Sequence, residues 1–228
     1  MKERGLILSM SPSKKEKLTR TDYLGKDAEE YSRSKWMARL QINTSIRVIS
    51  LLEDERIGGK LTKPLQNYII LDAGCGSGYS SVVLEDKNVC LVGLDYSFDM
   101  LEENLLQQKN IERNEKRNKI PRILINGIIE HLPFRNNIIH HVISISAFNF
   151  VIKDSQRDYI KSSILSSIVQ SLKELLKKRG RIVIEFYPKK EDIEYYLRAF
   201  KGAFTGGLII DNPGKRKEQK FLILRRED

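Results

Sequence analysis

The sequence predicts a single α/β domain, with a mainly parallel sheet of seven strands, an antiparallel last strand, and helices on both faces. Three observations predict it. Short β-branched runs alternate with segments of helical periodicity from residue 68 onward. A glycine-rich turn follows the first of those runs. Two apolar runs lie near the end, Leu208-Ile209-Ile210 and Phe221-Leu222-Ile223-Leu224, joined through Asn212-Pro213-Gly214, as in an antiparallel pair.

Each element has its own signal. Residues 1–20 are polar and basic and read as a flexible arm, leaving 21–228 for the domain. From Asp27 to Glu53 the apolar positions Leu40, Ile42, Ile46, Ile49 and Leu52 recur at helical spacing, and Gly58-Gly59 ends that region. Tyr68 to Asp72 is the first strand, Tyr79 to Asp86 a helix, and Val89 to Asp95 the second strand. Ser97 is placed to cap a helix running to about Lys109. Arg122 to Asn126 and His141 to Ser146 are the third and fourth strands. Asp154 is read as the cap of the longest helix, with Ile160, Ile164, Ile168, Leu172 and Leu176 every four residues. Lys177-Lys178-Arg179 suits the negative end of that helix, and Gly180 the left-handed residue after it. Arg181 to Phe186 is the fifth strand, and a helix over Glu191 to Phe200 precedes the terminal pair.

The chain of 228 residues is 40% hydrophobic and 31% charged, the balance of a globular protein with one core. No apolar run approaches the roughly 20 residues of a membrane helix, and residues 1–8 hold too short an apolar stretch for a signal peptide. The chain is therefore expected in the cytoplasm. Two cysteines, Cys75 and Cys90, are too few for a disulfide framework or a zinc site, and no metal is expected. The formal charge of +10 is spread over Lys14 to Arg20, Lys109 to Lys119, Lys177 to Arg181 and Lys215 to Lys220. Charge alone leaves two readings open, a solvated surface or a polyanionic substrate.

Leu71-Asp72-Ala73-Gly74-Cys75-Gly76-Ser77-Gly78 ends a strand and opens a helix, the context that gives a glycine motif meaning. Asp95 ends the next strand 19 residues after Gly76, where a carboxylate accepts both hydroxyls of a ribose. A dinucleotide fingerprint would place a third glycine at position 79, which is Tyr79. Asp72 would repel a pyrophosphate and suits a ligand with an ammonium group. S-adenosylmethionine has an amino-acid tail, a cationic sulfur, a ribose and no phosphate.

On these residues the sequence resembles class I methyltransferases, which implies a Rossmann-like domain over 21–228 and S-adenosylmethionine as cofactor. Gly127-Ile128-Ile129-Glu130-His131-Leu132-Pro133-Phe134 is similar to a family segment in which an Asp stands where Ile128 does. His140 likewise stands where the family has an Asp entering the fourth strand; His140 and His141 read as packing residues. The resemblance puts Asp72, Gly74, Cys75, Gly76, Gly78, Asp95, Tyr96, Ile128, Ile129 and Ser146 around the cofactor, with Tyr31 and Trp36 closing over it.

Ile143 to Phe150, Phe186-Tyr187-Pro188-Lys189 and Phe204-Thr205-Gly206-Gly207-Leu208-Ile209-Ile210-Asp211-Asn212-Pro213 carry a narrower resemblance. They look like the eukaryotic bud-site-selection family of small-subunit ribosomal RNA guanine-N7 methyltransferases, from about Tyr31 to Leu224. The long basic C-terminal extension of that family is missing and Gln-Trp is replaced by Asn149-Phe150, which implies a short relative of archaeal type. The implied activity is methylation of guanine N7 in small-subunit ribosomal RNA. N7 carries a lone pair and no proton, so the site needs orientation and no general base. Phe150 and Tyr187, with Pro188 beside it, are the candidates to stack on the base, and Asn149 to read its edge. The resemblance also implies a small zinc-binding activator protein, docking at the sheet edge near Ile123 to Ile125. Two alternatives stay open: a methyltransferase of a small molecule, protein or tRNA, and a catalytically silent scaffold in ribosome assembly.

Overall fold

A computed structural model describes residues 23–56, 65–84, 87–114, 122–153, 155 and 157–227. The basic arm, Gly58-Gly59 and Asp154 lie outside them. The elements are α1 (Gly25–Arg33), α2 (Lys35–Leu52), β1 (Ile69–Ala73), α3 (Tyr79–Leu84), β2 (Cys90–Asp95) and α4 (Phe98–Asn114). They continue through β3 (Arg122–Asn126), β4 (Ile139–Ile145), α5 (Asp158–Leu175), β5 (Leu176–Phe186), α6 (Ile193–Lys201), β6 (Thr205–Asp211) and β7 (Gln219–Arg225). A single 3₁₀ turn, Ala147–Phe150, follows β4.

The seven strands lie in the order β3-β2-β1-β4-β5-β7-β6. β1 to β5 are mutually parallel, and β7 runs antiparallel to both its neighbours, β5 and β6. The predicted architecture is therefore the observed one. Side chains alternate across the sheet because the strand period is two. Ile70, Ile143, Val183, Phe221 and Ile223 face one core with Val48, Leu51 and Leu52 of α2 and Leu84 of α3. Leu71, Val142, Ile182, Ile184, Leu222 and Leu224 face the other, against α5 and α6. Strands covered on both faces read as unbroken apolar runs, which is why β1, β2 and β4 are legible in the sequence. No described helix is long and apolar enough to cross a membrane.

Three local expectations change. The helical region 27–53 is two helices. Ser34 leaves helical geometry (φ −71°, ψ 106°) and its hydroxyl accepts the Met37 N–H at 3.3 Å, the N-cap of α2. The helix expected to be the longest, α5, has 18 residues, the same as α2, and buries Leu165, Ile168, Val169, Leu172 and Leu175. A strict four-residue repeat drifts around a helix of 3.6 residues per turn, so Ile160 and Leu176 do not extend that stripe. The helix also stops earlier than its cations suggest. Leu176 already pairs with Ile139 as the first residue of β5, and Arg179, not Gly180, adopts the left-handed conformation (φ 64°). Gly180 is required for another reason: a Cβ there would lie 2.8 Å from the carbonyl oxygens of His140 and Lys177. The Ser97 cap forms as expected, its hydroxyl accepting the Met100 N–H at 3.2 Å.

One polar contact ties α2 to the sheet. The Arg181 side chain is 2% exposed, and its guanidinium donates to the carbonyls of Leu52 (2.8 Å) and Asp54 (2.9 Å), at the end of α2. Those carbonyls have no partner within the helix. Burial, then the charge of Arg225, lowers the Arg181 pKa, and the group stays cationic. Arg181→Met keeps the apolar stem and removes both donors. Urea unfolding should show a loss of about 2–4 kcal/mol.

Candidate functional site

The site lies at the carboxyl ends of the parallel strands, where an open α/β sheet places its ligands. Gly74, Gly76 and Gly78 have φ of 82°, 51° and 90°, values a side-chain-bearing residue rarely adopts. At Gly74 space is also decisive, since a Cβ would sit 2.1 Å from Cβ of Ala147. That approach brings the loop after β1 against the turn after β4. Asp95, at the end of β2 and 8% exposed, holds the loop. Its Oδ2 accepts the Gly76 N–H at 2.8 Å and its Oδ1 accepts the Ser97 N–H at 2.9 Å. Each oxygen keeps a further lone pair for a ligand hydroxyl. The Leu94 carbonyl accepts the N–H groups of Gly74 (2.7 Å) and Cys75 (3.0 Å).

Asp72 is fully buried beneath the loop and accepts a hydrogen bond from the Ser80 hydroxyl of α3. Burial pushes its carboxyl up to about 7, the Ser80 bond pulls the other way, and the Asp95 charge adds a smaller push. Its side chain thus braces the loop from below, where an ammonium partner was expected. The Cys75 side chain also points inward, against Gly93 and Asn104, and burial drives its thiol pKa well up. Cys75 offers the site only its backbone. Gly78 makes room for Asn104, whose amide would lie 2.6 Å from a Cβ there. Ile128, 37% exposed, and the buried Ile129 lie past the end of β3, with Ile129 approaching Gly74. The Tyr96 carbonyl accepts the Asn126 side-chain N–H at 2.9 Å.

An aromatic cluster covers this end. Tyr31 packs on Tyr23 (ring centroids 5.5 Å) and Tyr79 (6.3 Å), and Tyr23 and Phe150 form a T-shaped pair (5.6 Å). Burial raises the Tyr31 phenol pKa far above its usual value. Trp36 on α2 is 54% exposed and is not among the ring contacts of this cluster. Ser146, in a left-handed conformation (φ 62°), donates from its hydroxyl to Glu185 Oε2 at 3.0 Å.

Asn149 also has a role within the chain. Its Nδ2 donates to the Ser146 carbonyl at 2.9 Å and its Oδ1 accepts the Tyr187 N–H, so both ends of the amide are engaged within the chain. It positions Tyr187, and one N–H and one oxygen lone pair of its amide remain for a base. Phe150 and Tyr187 are half-buried, as is Pro188. Burial, then the Glu185 charge, raises the Tyr187 phenol pKa.

Four contributors escaped the sequence reading. Tyr23 joins the cover. Ser80 meets Asp72. Asn104, buried on α4, donates to the Gly76 carbonyl at 3.0 Å. Glu185 is a buried carboxylate among Ser146, Tyr187 and the cover. The last had a signal: a charged residue inside Ile182-Val183-Ile184-Glu185-Phe186, a strand otherwise apolar.

Comparison with known proteins agrees with this geometry. The family described as "Methyltransferase domain" matches residues 71–184. The chain is 28% identical over 200 residues to the Schizosaccharomyces pombe protein named 18S rRNA (guanine-N(7))-methyltransferase bud23, covering 87% of this chain and 68% of that one. It is 29% identical over 202 residues to the Bos taurus 18S rRNA (guanine-N(7))-methyltransferase, covering 86% and 64%. The chain thus spans about two thirds of the length of these relatives. Among solved structures, the magnesium protoporphyrin IX methyltransferase of Synechocystis PCC 6803 with bound SAM superposes with a TM-score of 0.62 at 18% identity, covering 93% of this chain and 97% of that one. A chain from the complex of the Haloferax volcanii Trm112 methyltransferase activator with a methyltransferase gives a TM-score of 0.59 at 16% identity, covering 88% and 98%.

The Asp72 carboxyl makes stability depend on pH. Its folded pKa lies above its unfolded value, so its contribution is complete below about pH 4 and lost as pH rises through 7. Asp72→Asn keeps an acceptor for Ser80 and does not ionise. The stability of that variant relative to the parent should rise between pH 4.5 and 7.5, by on the order of 3–4 kcal/mol, and level off above. Denaturant titrations of both proteins across that range check this outcome.

Proposed function

The chain belongs to the methyltransferase domain family, and from that premise we propose that it methylates N7 of a guanine in small-subunit ribosomal RNA, with S-adenosylmethionine as donor. The observation that carries the cofactor reading is the left-handed glycine loop clamped by Asp95 beside the Ser146 to Phe150 turn. The donor set fits S-adenosylmethionine. Asp95 has lone pairs left for the ribose hydroxyls, the exposed Ile128 offers an apolar wall for adenine, and Tyr31 and Tyr23 cover the opening. When bound, the cofactor supplies a methyl group on a cationic sulfur.

The chain's residues then have three tasks: to hold the base, to orient it and to exclude water. Phe150 and Tyr187, half-buried, are the aromatics assigned to stack on the base, and Asn149 fixes Tyr187 through its backbone N–H. Transfer to guanine N7 would form the new N–C bond with the ring lone pair as the methyl–sulfur bond breaks, the positive charge passing from sulfur to the base. No proton leaves, so no side chain has to act as a base. The relatives named as guanine-N7 methyltransferases of 18S rRNA support this acceptor. The net charge of +10 and the exposed Lys215-Arg216-Lys217 between β6 and β7, at the same end of the sheet as the glycine loop, support a polyanionic one.

A small zinc-binding activator is part of the proposal, docked on the β3 edge, and the working compartment is the cytoplasm. β3 closes one side of the sheet, and Ile123 on it is 52% exposed. An unpaired apolar edge favours addition of a partner strand. The likeness to a chain from an activator–methyltransferase complex points the same way.

Two measurements test these readings. N7-methylguanosine renders RNA cleavable after reduction, so small-subunit RNA from cells with the gene should break at a site that stays intact without it. Phe150→Ala should lower methyl transfer about 10- to 100-fold with cofactor affinity unchanged, because stacking acts on the base. Equal cleavage in both RNAs overturns the acceptor. For the activator, the chain alone should aggregate or turn over slowly and recover with the partner. Ile123→Glu should block the recovery in co-purification; full activity of the chain alone overturns the partner.

A further inference from the structure

The cations Lys177, Lys178 and Arg179 have no task in the site just described, and the sheet places them at its opposite end. Ile139 pairs with Leu176 and His141 with Arg181, so the single residue His140 faces the four residues Lys177 to Gly180. Those four bulge out of the sheet. The bulge is nonetheless fixed. The Arg226 N–H donates to the Gly180 carbonyl at 2.8 Å, and the Arg226 guanidinium donates to the Leu176 carbonyl. Packing at Gly180 leaves no room for a side chain, and the left-handed turn falls on Arg179 instead. A bulky residue held there costs about 1–2 kcal/mol, a strain found more often where a side chain serves binding than where it is merely solvated.

The charges around the bulge are unbalanced. Among the described residues none of the three cations forms an ion pair, whereas Glu53 is matched by Lys87, Asp54 by Arg56 and Glu227 by Arg225. The end of α5 already carries Lys173 in its last turn, so its dipole does not account for three more cations. Burial first, then the charge of Lys177, holds His140 below its usual pKa, in keeping with a positive field at this rim.

We propose that the bulge Lys177 to Arg179 is a second phosphate-binding surface for RNA, at the end of the sheet opposite the glycine loop. The inference rests on the RNA reading given under Proposed function and extends it. From Arg181 to Phe186, β5 spans about 17 Å. An RNA engaged at both ends is therefore an extended or folded strand, and a lone nucleotide reaches only one. Two exposed cations, Lys178 and Arg179, beside the half-buried Lys177 on a fixed loop suit phosphates, which need charge and no base-specific geometry.

The test uses the full chain with the substitutions Lys177→Gln, Lys178→Gln and Arg179→Gly, and a small-subunit ribosomal RNA transcript as probe. Affinity for the transcript at 0.15 M salt should fall roughly tenfold or more, and the slope of log affinity against log salt should flatten by about 2–3. Cofactor binding should be unchanged. The thermal midpoint should stay level or rise, since glycine relieves the left-handed strain at 179. A charge-preserving variant, Lys177→Arg, Lys178→Arg and Arg179→Lys, should bind like the parent. Equal affinity and slope in the neutral variant and the parent overturn this inference alone, and so does an equal loss in the charge-preserving variant. Failure of the parent to bind the transcript overturns it together with the RNA reading. Loss of binding only to phosphatidylglycerol–phosphatidylcholine vesicles, with RNA affinity intact, assigns the bulge to a lipid surface and overturns it too.

Discussion

The carboxylate of Asp95 joins three segments that would otherwise move independently. It accepts the N–H of Gly76 in the loop after β1 and the N–H of Ser97 at the head of α4, while its own backbone ends β2. Three left-handed glycines in five residues lose much conformational freedom on ordering, and their own side chains contribute no packing. Hydrogen bonds to a charged acceptor, each worth about 1.5–3 kcal/mol, offset part of that loss. Asn104 adds a bond to the Gly76 carbonyl from below, and Ala147 closes on Gly74 from the β4 side. The position of every ligand-facing backbone group follows from this clamp.

The aromatic cover depends on the same foundation. Ser97 donates to the Tyr23 carbonyl at 2.7 Å, Asp99 accepts the Gly25 N–H at 2.7 Å, and the Tyr79 hydroxyl donates to the Ser32 carbonyl at 2.7 Å. Two of these anchors stand at the start of α4 and one at the start of α3, the two helices that the glycine loop and Asp95 set in place. Ser97 serves twice, since it also caps α4. A displacement of the loop is therefore transmitted to Tyr23 and Tyr31, and the cover is coupled to the floor of the site through three polar contacts and the packing of Tyr31 on Tyr79.

How much of this could be read from the chain depended on the range of the interactions. Strands buried on both faces announce themselves locally, as in Ile69-Ile70-Leu71 or Val142-Ile143, and the glycine loop is a backbone requirement written in composition. The junction of α5 with β5 was misread because Lys177-Lys178-Arg179-Gly180 satisfies the local rule for a helix end. Leu176 is drawn into the sheet by Ile139, and no rule local to the segment contains that pairing. The role of Asn149 within the chain was hidden for the same reason. Its partners are Ser146, three residues back, and Tyr187, 38 residues on, and the second exists only after β4 and β5 lie side by side. Ser34 was the opposite case, a capping residue ahead of Met37 whose local signal was present and overlooked.

The ionisable groups of the site bear on which atom it serves. Methylation of a hydroxyl or an exocyclic amine requires a group that takes a proton, set free near the acceptor. Here three carboxylates are held in structural roles: Asp95 accepts two backbone N–H groups and keeps its remaining lone pairs for the ribose, Asp72 accepts from Ser80 beneath the loop, and Glu185 accepts from the Ser146 hydroxyl. The phenols of Tyr31 and Tyr187 have pKa values raised by burial, which keeps them protonated and unfit to accept. His140 and His141 lie at the other end of the sheet, where their Nδ1 atoms accept the N–H groups of Ile69 and Arg181. A site organised in this way orients an acceptor and leaves its protons alone. A ring nitrogen with a lone pair and no hydrogen is the nucleophile that such a site can methylate, and guanine N7 is one.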